Sequence, residues 1–321
     1  MILVVDTGID DALAIALAVR HPRIQLEAVV TSWGNIGLDL VNLNTLRVLD
    51  WLGATEVPVI SGADGPLVGA AIDAGHFHGQ DGLGGARLPV SGREVLPNGV
   101  DDLIHRLLAA PGEISLVCTG PFTNLALAVQ QEPRIVESVR EVVVMGGTAQ
   151  LPGNVTPVAE FNVAADPEAA AIVFAQTWPV TMVGLDVTNQ VVLGADEVQR
   201  LENEPSIEAV LTREVTRYLF EERKMASMAL HDPLAVGVAL DHSLVTASKG
   251  PVHVETRGEY TRGQTVFDLR SWVVQPPSRT QVALEVDAER FRRMFFETLG
   301  VRPKTGMRQT CSGRTPFNGQ A

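Results

Sequence analysis

Short apolar segments alternate with helix-like segments through the first 190 residues of the chain. The apolar segments are nearly continuous in hydrophobic residues, which is typical of strands covered on both faces of a sheet. Strands are therefore predicted at 2–5, 26–31, 58–60, 114–118, 141–145 and 180–185. Helical periodicity predicts helices near 10–21, 38–53, 99–109, 122–131 and 166–176. This alternation predicts an α/β fold with an open, Rossmann-like, mainly parallel sheet flanked by helices.

The pattern changes after residue 190, where helix-like segments come before a strand-like region. Helices are predicted at 195–203, 206–224 and 232–240, strands between 252 and 286, and a last helix at 288–299. We therefore expect a more helical C-terminal half with a few antiparallel strands, and one domain over residues 1–301. Residues 302–321 are rich in glycine, proline, threonine and arginine, and we expect a loose polar tail there.

The composition limits which kinds of binding partner the protein is expected to have. The formal net charge of −13 argues against nucleic acid and acidic membrane surfaces, which attract basic proteins. No segment approaches the roughly 18 apolar residues needed to span a bilayer. Cys118 ends an apolar segment and Cys311 lies in polar sequence, so no disulfide between them is expected. Because no signal-peptide pattern is visible either, the sequence predicts a cytoplasmic protein that binds neither nucleic acid nor a membrane.

Three carboxylates follow the first predicted strand within six residues, at Asp6, Asp10 and Asp11. The tripeptide Asp6-Thr7-Gly8 occurs in aspartic proteases, but those proteins need a second copy, which this chain lacks. Acidic residues at a helix N-terminus are also stabilised by the helix dipole, typically by less than about 1 kcal/mol each. That explanation suits one carboxylate, whereas three at one turn repel one another. A hard cation such as calcium, which takes six to eight oxygen ligands, removes the repulsion, and both interpretations stay open at this point.

Further polar motifs follow other predicted strands, whose carboxyl ends meet at the edge of the sheet where ligands bind. In chain order, the motifs are DTGIDDALA (6–14), TSWGN (31–35), HGQDGLGG (78–85), TGPFTN (119–124), MGG (145–147), GNVTPVAEFN (153–162) and HDP (231–233). Together they resemble the nucleoside hydrolases, the inosine–uridine-preferring type, over residues 2 to about 299.

The resemblance implies an enzyme that hydrolyses the N-glycosidic bond of ribonucleosides to nucleobase and ribose, with one calcium ion (Ca²⁺) per chain. By position, the calcium ligands would be Asp6, Asp11, Asp232 and the backbone carbonyl of Thr119. Asp6 would also be the general base, and His231 would assist the leaving base. The ribose would be bound by Asp10, Asn35, Met145, Asn154, Glu160 and Asn162.

Three other residues are possible site residues whose roles stay open. His78 could contact the substrate or order its glycine-rich loop, and Phe161 could face the ligand or the core. Tyr218 lies in the region that covers the nucleobase in related proteins. Glu160 and Asn162 are two residues apart, and on an extended segment their side chains would face the same way.

Val4 departs from the family pattern, because many members carry an additional aspartate at that position. Its absence could remove support from the metal ligands, so the alternative is a nucleoside-binding or regulatory protein with weak or no turnover. A phosphatase of the haloacid-dehalogenase type would also need an acid at position 4 and is not supported. Related proteins are commonly dimers or tetramers, so we expect a homodimer or homotetramer. The sequence leaves the preference between purine and pyrimidine bases open.

Overall fold

An eight-stranded sheet runs through the part of the chain that the computed structural model describes, residues 1–300. The strands are β1 Ile2–Val5, β2 Ala28–Thr31, β3 Val59–Ser61, β4 Ser115–Cys118, β5 Glu141–Met145, β6 Val180–Val183, β7 Val192–Gly194, β8 Ser227–Ala229, β9 Val245–Lys249, β10 His253–Val254, β11 Thr265–Val266 and β12 Gln281–Val286. The α-helices are α1 Ile9–Arg20, α2 Leu38–Trp51, α3 Gly75–His78, α4 Gly99–Ala109, α5 Thr123–Gln131, α6 Ile135–Ser138, α7 Phe161–Ala165, α8 Pro167–Phe174, α9 Leu185–Thr188, α10 Ala195–Gln199, α11 Ile207–Arg217, α12 His231–Leu240 and α13 Ala288–Thr298. Short stretches of π-helix at Tyr218–Glu222 and of 3₁₀-helix at His242–Leu244 complete the list.

The strand order in the large sheet is β3-β2-β1-β4-β5-β6-β12-β9. Every neighbouring pair is parallel except β12 with β9, which is antiparallel. Two small antiparallel sheets pair β7 with β8 and β10 with β11. The predicted α/β fold, with its mainly parallel sheet and few antiparallel strands, is therefore confirmed.

Each face of the sheet has its own apolar core. Along β1, Leu3 and Val5 belong to one core, and Ile2 and Val4 belong to the other, as the two-residue period of a strand requires. Helix α1 is buried from Ile9 to Ala18, which explains why its sequence is apolar all round. The N-terminus of α1 is therefore held rigidly next to the strand that precedes it.

Several predicted elements differ from those observed. The strand predicted at 26–31 begins only at Ala28, and the helix predicted at 206–224 ends as an α-helix at Arg217. The region 252–286 is not one continuous strand, because the two-residue strands β10 and β11 and the six-residue strand β12 are separated by irregular chain. Phe161 and Asn162 are helical rather than extended, and Glu160 is the N-cap of their helix α7. Short helices of four or five residues have too few turns to produce a periodic signal in a sequence.

The topology places a crevice where β1 lies between β2 and β4. The chain passes from β1 to β2 on one side, and β4 joins β1 from the other side, so this is the switch point of the sheet. Asp6 directly follows β1 and Thr119 directly follows β4. Ligands of open α/β sheets bind at such points, outside the carboxyl ends of the strands.

Two other expectations concern parts of the chain away from this crevice. None of the helices within residues 1–300 is long and apolar enough to cross a membrane. Cys118 is a buried free thiol at the end of β4. The predicted tail at 302–321, which contains Cys311, lies outside the described residues.

Candidate active site

The turn from β1 into α1 carries the three clustered carboxylates. Gly8 is the N-cap of α1, and its backbone amide donates a 2.9 Å hydrogen bond to Asp11 Oδ2. The amide of Ile9 donates to Nδ1 of His78 at 3.0 Å. A Cβ at position 8 would lie 2.5 Å from that same nitrogen, so the close approach of His78 requires glycine here.

The Asp6 carboxylate is enclosed by backbone. Its Oδ2 accepts a 2.8 Å hydrogen bond from the amide of Asn35, and a Cβ added at Gly34 would clash with that oxygen. A Cβ on Gly120 would come within 2.9 Å of Asp6 Oδ1. Oδ1 is buried and has no hydrogen-bond partner among the described residues. An unpaired buried carboxylate oxygen is costly unless a further ligand takes it up.

Asp11 is fully buried and held from three directions. Its Oδ1 accepts a 2.7 Å hydrogen bond from the hydroxyl of Thr119, and its Oδ2 accepts one of 3.2 Å from the side-chain amide of Asn35. These bonds join the ends of β1, β2 and β4. The predicted convergence of Asp6, Asn35 and Thr119 at the carboxyl edge of the sheet therefore occurs.

Asp10, Asp11 and Asp232 form a buried carboxylate group, in which one oxygen from each lies within 4.8 Å of the others. Asp232 comes from the first turn of α12, which packs against α1. Burial raises the pKa of Asp10 to about 7, and the charge of Asp11 adds to that shift. Burial, followed by the charges of Asp10 and Asp11, also raises the pKa of Asp232 well above its usual range.

The pKa values of Asp6 and Asp11 are raised for the same principal reason, their burial. Among residues 1–300, no lysine or arginine lines the cavity next to these carboxylates. The donor set thus consists of carboxylate, carbonyl and amide oxygens, and one buried carboxylate oxygen lacks a partner. These features fit a hard divalent cation, which favours oxygen ligands and would stabilise the ionised carboxylates.

A second set of polar groups lies at the first turn of α7. Glu160 caps this helix: Oε1 accepts from the amide of Asn162 at 2.9 Å, and Oε2 accepts from the amides of Val163 at 3.2 Å and Gly147 at 2.9 Å. The side-chain amide of Asn162 donates to the carbonyl oxygens of Thr119 at 2.7 Å and Met145 at 3.1 Å. Burial raises the pKa of Glu160 to about 7. The cap therefore brings Glu160 and Asn162 to the same site as the carboxylate group.

A cavity of about 310 Å³ lies between the carboxylate group and the polar residues at the first turn of α7. It is lined by Asp10, Asn35, Ala74, His76, Phe77, His78, Thr119, Met145, Asn154, Val155, Glu160, Phe161, Asn162, His231 and Asp232. Nucleoside-sized ligands fit sites of this scale, in which apolar walls carry a few converging polar groups. Asn154 is exposed, and its Oδ1 accepts a 2.9 Å hydrogen bond from the amide of Phe161.

Two of the three histidines that line this cavity, His78 and His231, are each bonded at Nδ1 to another element of the fold. His231 is the first residue of α12, and its Nδ1 lies 2.8 Å from the hydroxyl of Thr188. Burial lowers the pKa of His231 to about 4 and that of His78 to about 3, with the proximity of His231 as a smaller cause of the second shift. Both rings are therefore neutral near pH 7.

Comparison with known proteins agrees with this geometry. The family described as inosine-uridine preferring nucleoside hydrolase matches residues 1–293. This chain belongs to the nucleoside hydrolase family. It is accordingly a ribonucleoside hydrolase, an enzyme that cleaves the N-glycosidic bond of ribonucleosides, and the alternative of a binding protein without turnover is not favoured.

The relatives cover almost the whole chain. An inosine-uridine preferring nucleoside hydrolase of Crithidia fasciculata is 41% identical over 307 residues, which are 93% of this chain and 96% of that protein. A non-specific ribonucleoside hydrolase of Escherichia coli is 38% identical over 303 residues, 92% of this chain and 96% of that protein. The solved structure of a purine-preferring ribonucleoside hydrolase from Gardnerella vaginalis has a TM-score of 0.87 at 33% identity, covering 93% of this chain and 97% of that chain. The names of these three relatives indicate different base preferences. Similarity to them therefore does not assign a base preference to this chain.

This nucleoside hydrolase keeps its site without the aspartate that many members carry at position 4. The Val4 side chain is fully buried in the apolar core that also contains Cys118 and Phe122. The Val4 carbonyl oxygen accepts hydrogen bonds from the Thr119 amide at 2.8 Å and the Thr119 hydroxyl at 3.4 Å. Position 4 thus supports Thr119 through its backbone, and the candidate ligands are brought together without a carboxylate there.

Not every candidate of this nucleoside hydrolase faces the cavity. Tyr218 packs over Gly84 and against the apolar core, and it is not among the residues that line the cavity. His76, Phe77 and Thr188 belong to the site or support it, although the sequence did not indicate them. In the sequence, only their position beside His78 could have indicated His76 and Phe77. No feature of the sequence indicated Thr188.

Proposed function

We propose that the chain binds one calcium ion between Asp6, Asp11 and Asp232, and that it hydrolyses ribonucleosides with Asp6 as the general base and His231 assisting the leaving base. The observation that carries this proposal is the buried Oδ1 of Asp6, which lies beside the other carboxylates and has no hydrogen-bond partner within residues 1–300. Such an arrangement repels itself unless a cation joins it.

The ligands proposed for calcium are Asp6, Asp11, Asp232 and the carbonyl oxygen of Thr119. All four supply hard oxygens, which calcium prefers over nitrogen or sulfur. When bound, calcium would polarise a water molecule and bind the 2′ and 3′ hydroxyls of the ribose. Asp10 also lies within 4.8 Å of Asp11 and Asp232, and we assign it to a ribose hydroxyl instead.

The remaining ribose contacts are assigned to Asn35, Met145, Asn154, Glu160 and Asn162, which all line the cavity. The Asn162 amide nitrogen is occupied by backbone carbonyls, so its Oδ1 is the atom that accepts from a sugar hydroxyl. Each oxygen of Glu160 retains acceptor capacity beyond its backbone bonds. Phe161 and the apolar residues beside it exclude water from the sugar.

Asp6 and His231 divide the proton chemistry between the two sides of the glycosidic bond. Asp6 Oδ2 is held by the Asn35 amide, which leaves Oδ1 to accept the proton of the attacking water. His231 is assigned to the other side, where the Nε2–H of its neutral ring donates a hydrogen bond to the departing nucleobase, because its Nδ1 already has a partner. His78 is assigned a hydrogen bond to the substrate.

The experiment compares Asp6→Asn and His231→Ala on inosine and on p-nitrophenyl riboside, whose leaving group needs no assistance. We expect Asp6→Asn to lose most turnover on both substrates, because it removes the base and keeps a metal-capable oxygen. His231→Ala should lose turnover on inosine and stay near normal on p-nitrophenyl riboside. Equal losses on the two substrates for His231→Ala would contradict its role at the leaving base.

We also propose that the chain assembles as a homodimer or homotetramer. Tyr260, Trp272 and Val274 have large exposed apolar side chains, and we assign them to the contact between subunits. Sedimentation equilibrium at micromolar protein tests this, and a monomer throughout the concentration range would contradict it.

A further inference from the structure

Thr188 lies behind the cavity, at the end of helix α9, which follows strand β6. Its side chain is fully buried, and its hydroxyl lies 2.8 Å from Nδ1 of His231. Helices α9 and α12 are in contact, so two elements far apart in the sequence hold this pair together.

The Thr188 hydroxyl is bonded differently from those of three other helical threonines within the described residues. Thr45, Thr212 and Thr216 donate to the carbonyl oxygen four residues earlier, at 2.8, 2.8 and 2.7 Å. This local bond is the usual choice of a threonine inside a helix. Within the described residues, the Thr188 hydroxyl bonds to His231 instead. The Thr188 hydroxyl is therefore bonded to the histidine and not to its own helix.

The chemistry of the partner distinguishes the two cavity histidines. Nδ1 of His78 accepts from the backbone amide of Ile9, and an amide can only donate, so this bond exists only while Nδ1 is unprotonated. A hydroxyl can donate or accept. The Thr188 hydroxyl can donate to Nδ1 of His231, which places the proton of the neutral ring on Nε2.

We propose that Thr188 is a positioning residue that holds the His231 ring with Nε2 toward the leaving base. This proposal rests on the role of His231 given above and extends it to a residue that does not touch the substrate. While the hydroxyl donates to Nδ1, Nε2 carries the proton and is a hydrogen-bond donor. His78, whose Nδ1 accepts from the amide of Ile9, is likewise a donor at Nε2.

The test removes the hydroxyl with little change of shape in Thr188→Val, and keeps it in Thr188→Ser. A buried group left without its partner is expected to cost roughly tenfold to a hundredfold in kcat on inosine. Thr188→Val should keep near-normal kcat on p-nitrophenyl riboside, and Thr188→Ser should recover most of the activity on inosine. Thr188→Ala serves as a second variant without the hydroxyl if the valine variant does not fold.

The matched control is Thr212→Val, which removes a hydroxyl from another buried helical threonine whose bond is to its own helix. It should leave kcat on both substrates unchanged. If Thr188→Val and Thr188→Ala lose activity equally on inosine and p-nitrophenyl riboside, or if Thr188→Ser fails to recover it, the positioning role is wrong.

The double variant Thr188→Val with His231→Ala separates this inference from the proposed function. If Thr188 acts through His231, adding Thr188→Val to His231→Ala should cause no further loss on inosine. Full additivity of the two losses would overturn the role of Thr188 and leave that of His231 standing. If His231→Ala alone shows no dependence on the leaving group, the role of His231 fails and that of Thr188 fails with it.

Discussion

The side-chain amide of Asn162 donates a 2.7 Å hydrogen bond to the carbonyl oxygen of Thr119. This bond joins the first turn of α7 to the end of β4, and so couples the ribose side of the cavity to the carboxylate side. A carbonyl oxygen has two lone pairs, so Thr119 can bind Asn162 and a cation at once. Asn162 therefore orients the Thr119 carbonyl oxygen, which is a proposed calcium ligand.

We predict that Asn162→Ala weakens calcium binding as well as substrate binding. Residues that orient metal ligands typically contribute about 10- to 100-fold in metal affinity. Competition with a fluorescent calcium chelator measures this effect. The control is Asn154→Ala, since Asn154 is exposed and bonds to the Phe161 amide, away from the ligands. An unchanged calcium affinity in Asn162→Ala would show that the Thr119 carbonyl is not a ligand.

Asparagine variants should separate the calcium ligands from the ribose contact. Asp6→Asn and Asp11→Asn should weaken calcium at least tenfold more than Asp10→Asn, which should chiefly raise KM for inosine. Isothermal titration with calcium, followed by steady-state kinetics, distinguishes the two effects. If Asp10→Asn abolished calcium binding while Asp6→Asn kept it, the ligands would be the group of Asp10, Asp11 and Asp232.

The stabilising effect of calcium should grow with pH. In the metal-free protein the pKa of Asp10 is raised to about 7, and those of Asp6, Asp11 and Asp232 are raised as well. A carboxyl group with a raised folded-state pKa contributes stability below its unfolded pKa of about 3.9, and this contribution is lost as pH rises through the folded value. Calcium replaces the protons, so the difference in Tm between calcium-saturated and metal-free protein should widen from pH 5 to pH 8. Scanning calorimetry of both forms measures it, and a constant difference would contradict the proposed site.

Much of this site follows from the sequence, because parallel strands bring their carboxyl ends together. Asp6, Asn35 and Thr119 each stand after an apolar strand, and that position alone predicts their convergence. Asp232 is a different case, since its approach depends on the packing of α12 against α1. Its assignment came from the family resemblance and not from the hydrophobic pattern.

Local details of the cavity could not be predicted in the same way. Helix α7 has five residues, so its capping by Glu160 gives no periodic signal, and the spacing of Glu160 and Asn162 alone does not distinguish a helix start from an extended segment. The contact of Thr188 with His231 spans 43 positions and depends on the packing of two helices. The position of Tyr218 over Gly84 depends on a π-helical turn that no pattern in the sequence marks.

The ribose contacts predict discrimination against 2′-deoxynucleosides. If Asp10 and the cation both bind the 2′ hydroxyl, its removal leaves buried charged groups without a partner, which costs roughly 1–3 kcal/mol or more. The rate on 2′-deoxyinosine should therefore be about tenfold to a hundredfold lower than on inosine, or lower still. Release of reducing sugar from each nucleoside measures the two rates. Equal rates on inosine and 2′-deoxyinosine would show that the 2′ hydroxyl is not bound as proposed.

The most direct measurement is a calcium titration of metal-stripped enzyme, with ribose release from inosine as the readout. If the buried carboxylates hold the ion that hydrolysis needs, the stripped enzyme should be inactive, and activity should return in proportion to bound calcium. The return should be complete at one calcium per chain, while Asp11→Asn should require a far higher calcium concentration. Full activity in enzyme that contains no metal by elemental analysis would contradict the proposal that these carboxylates act through calcium.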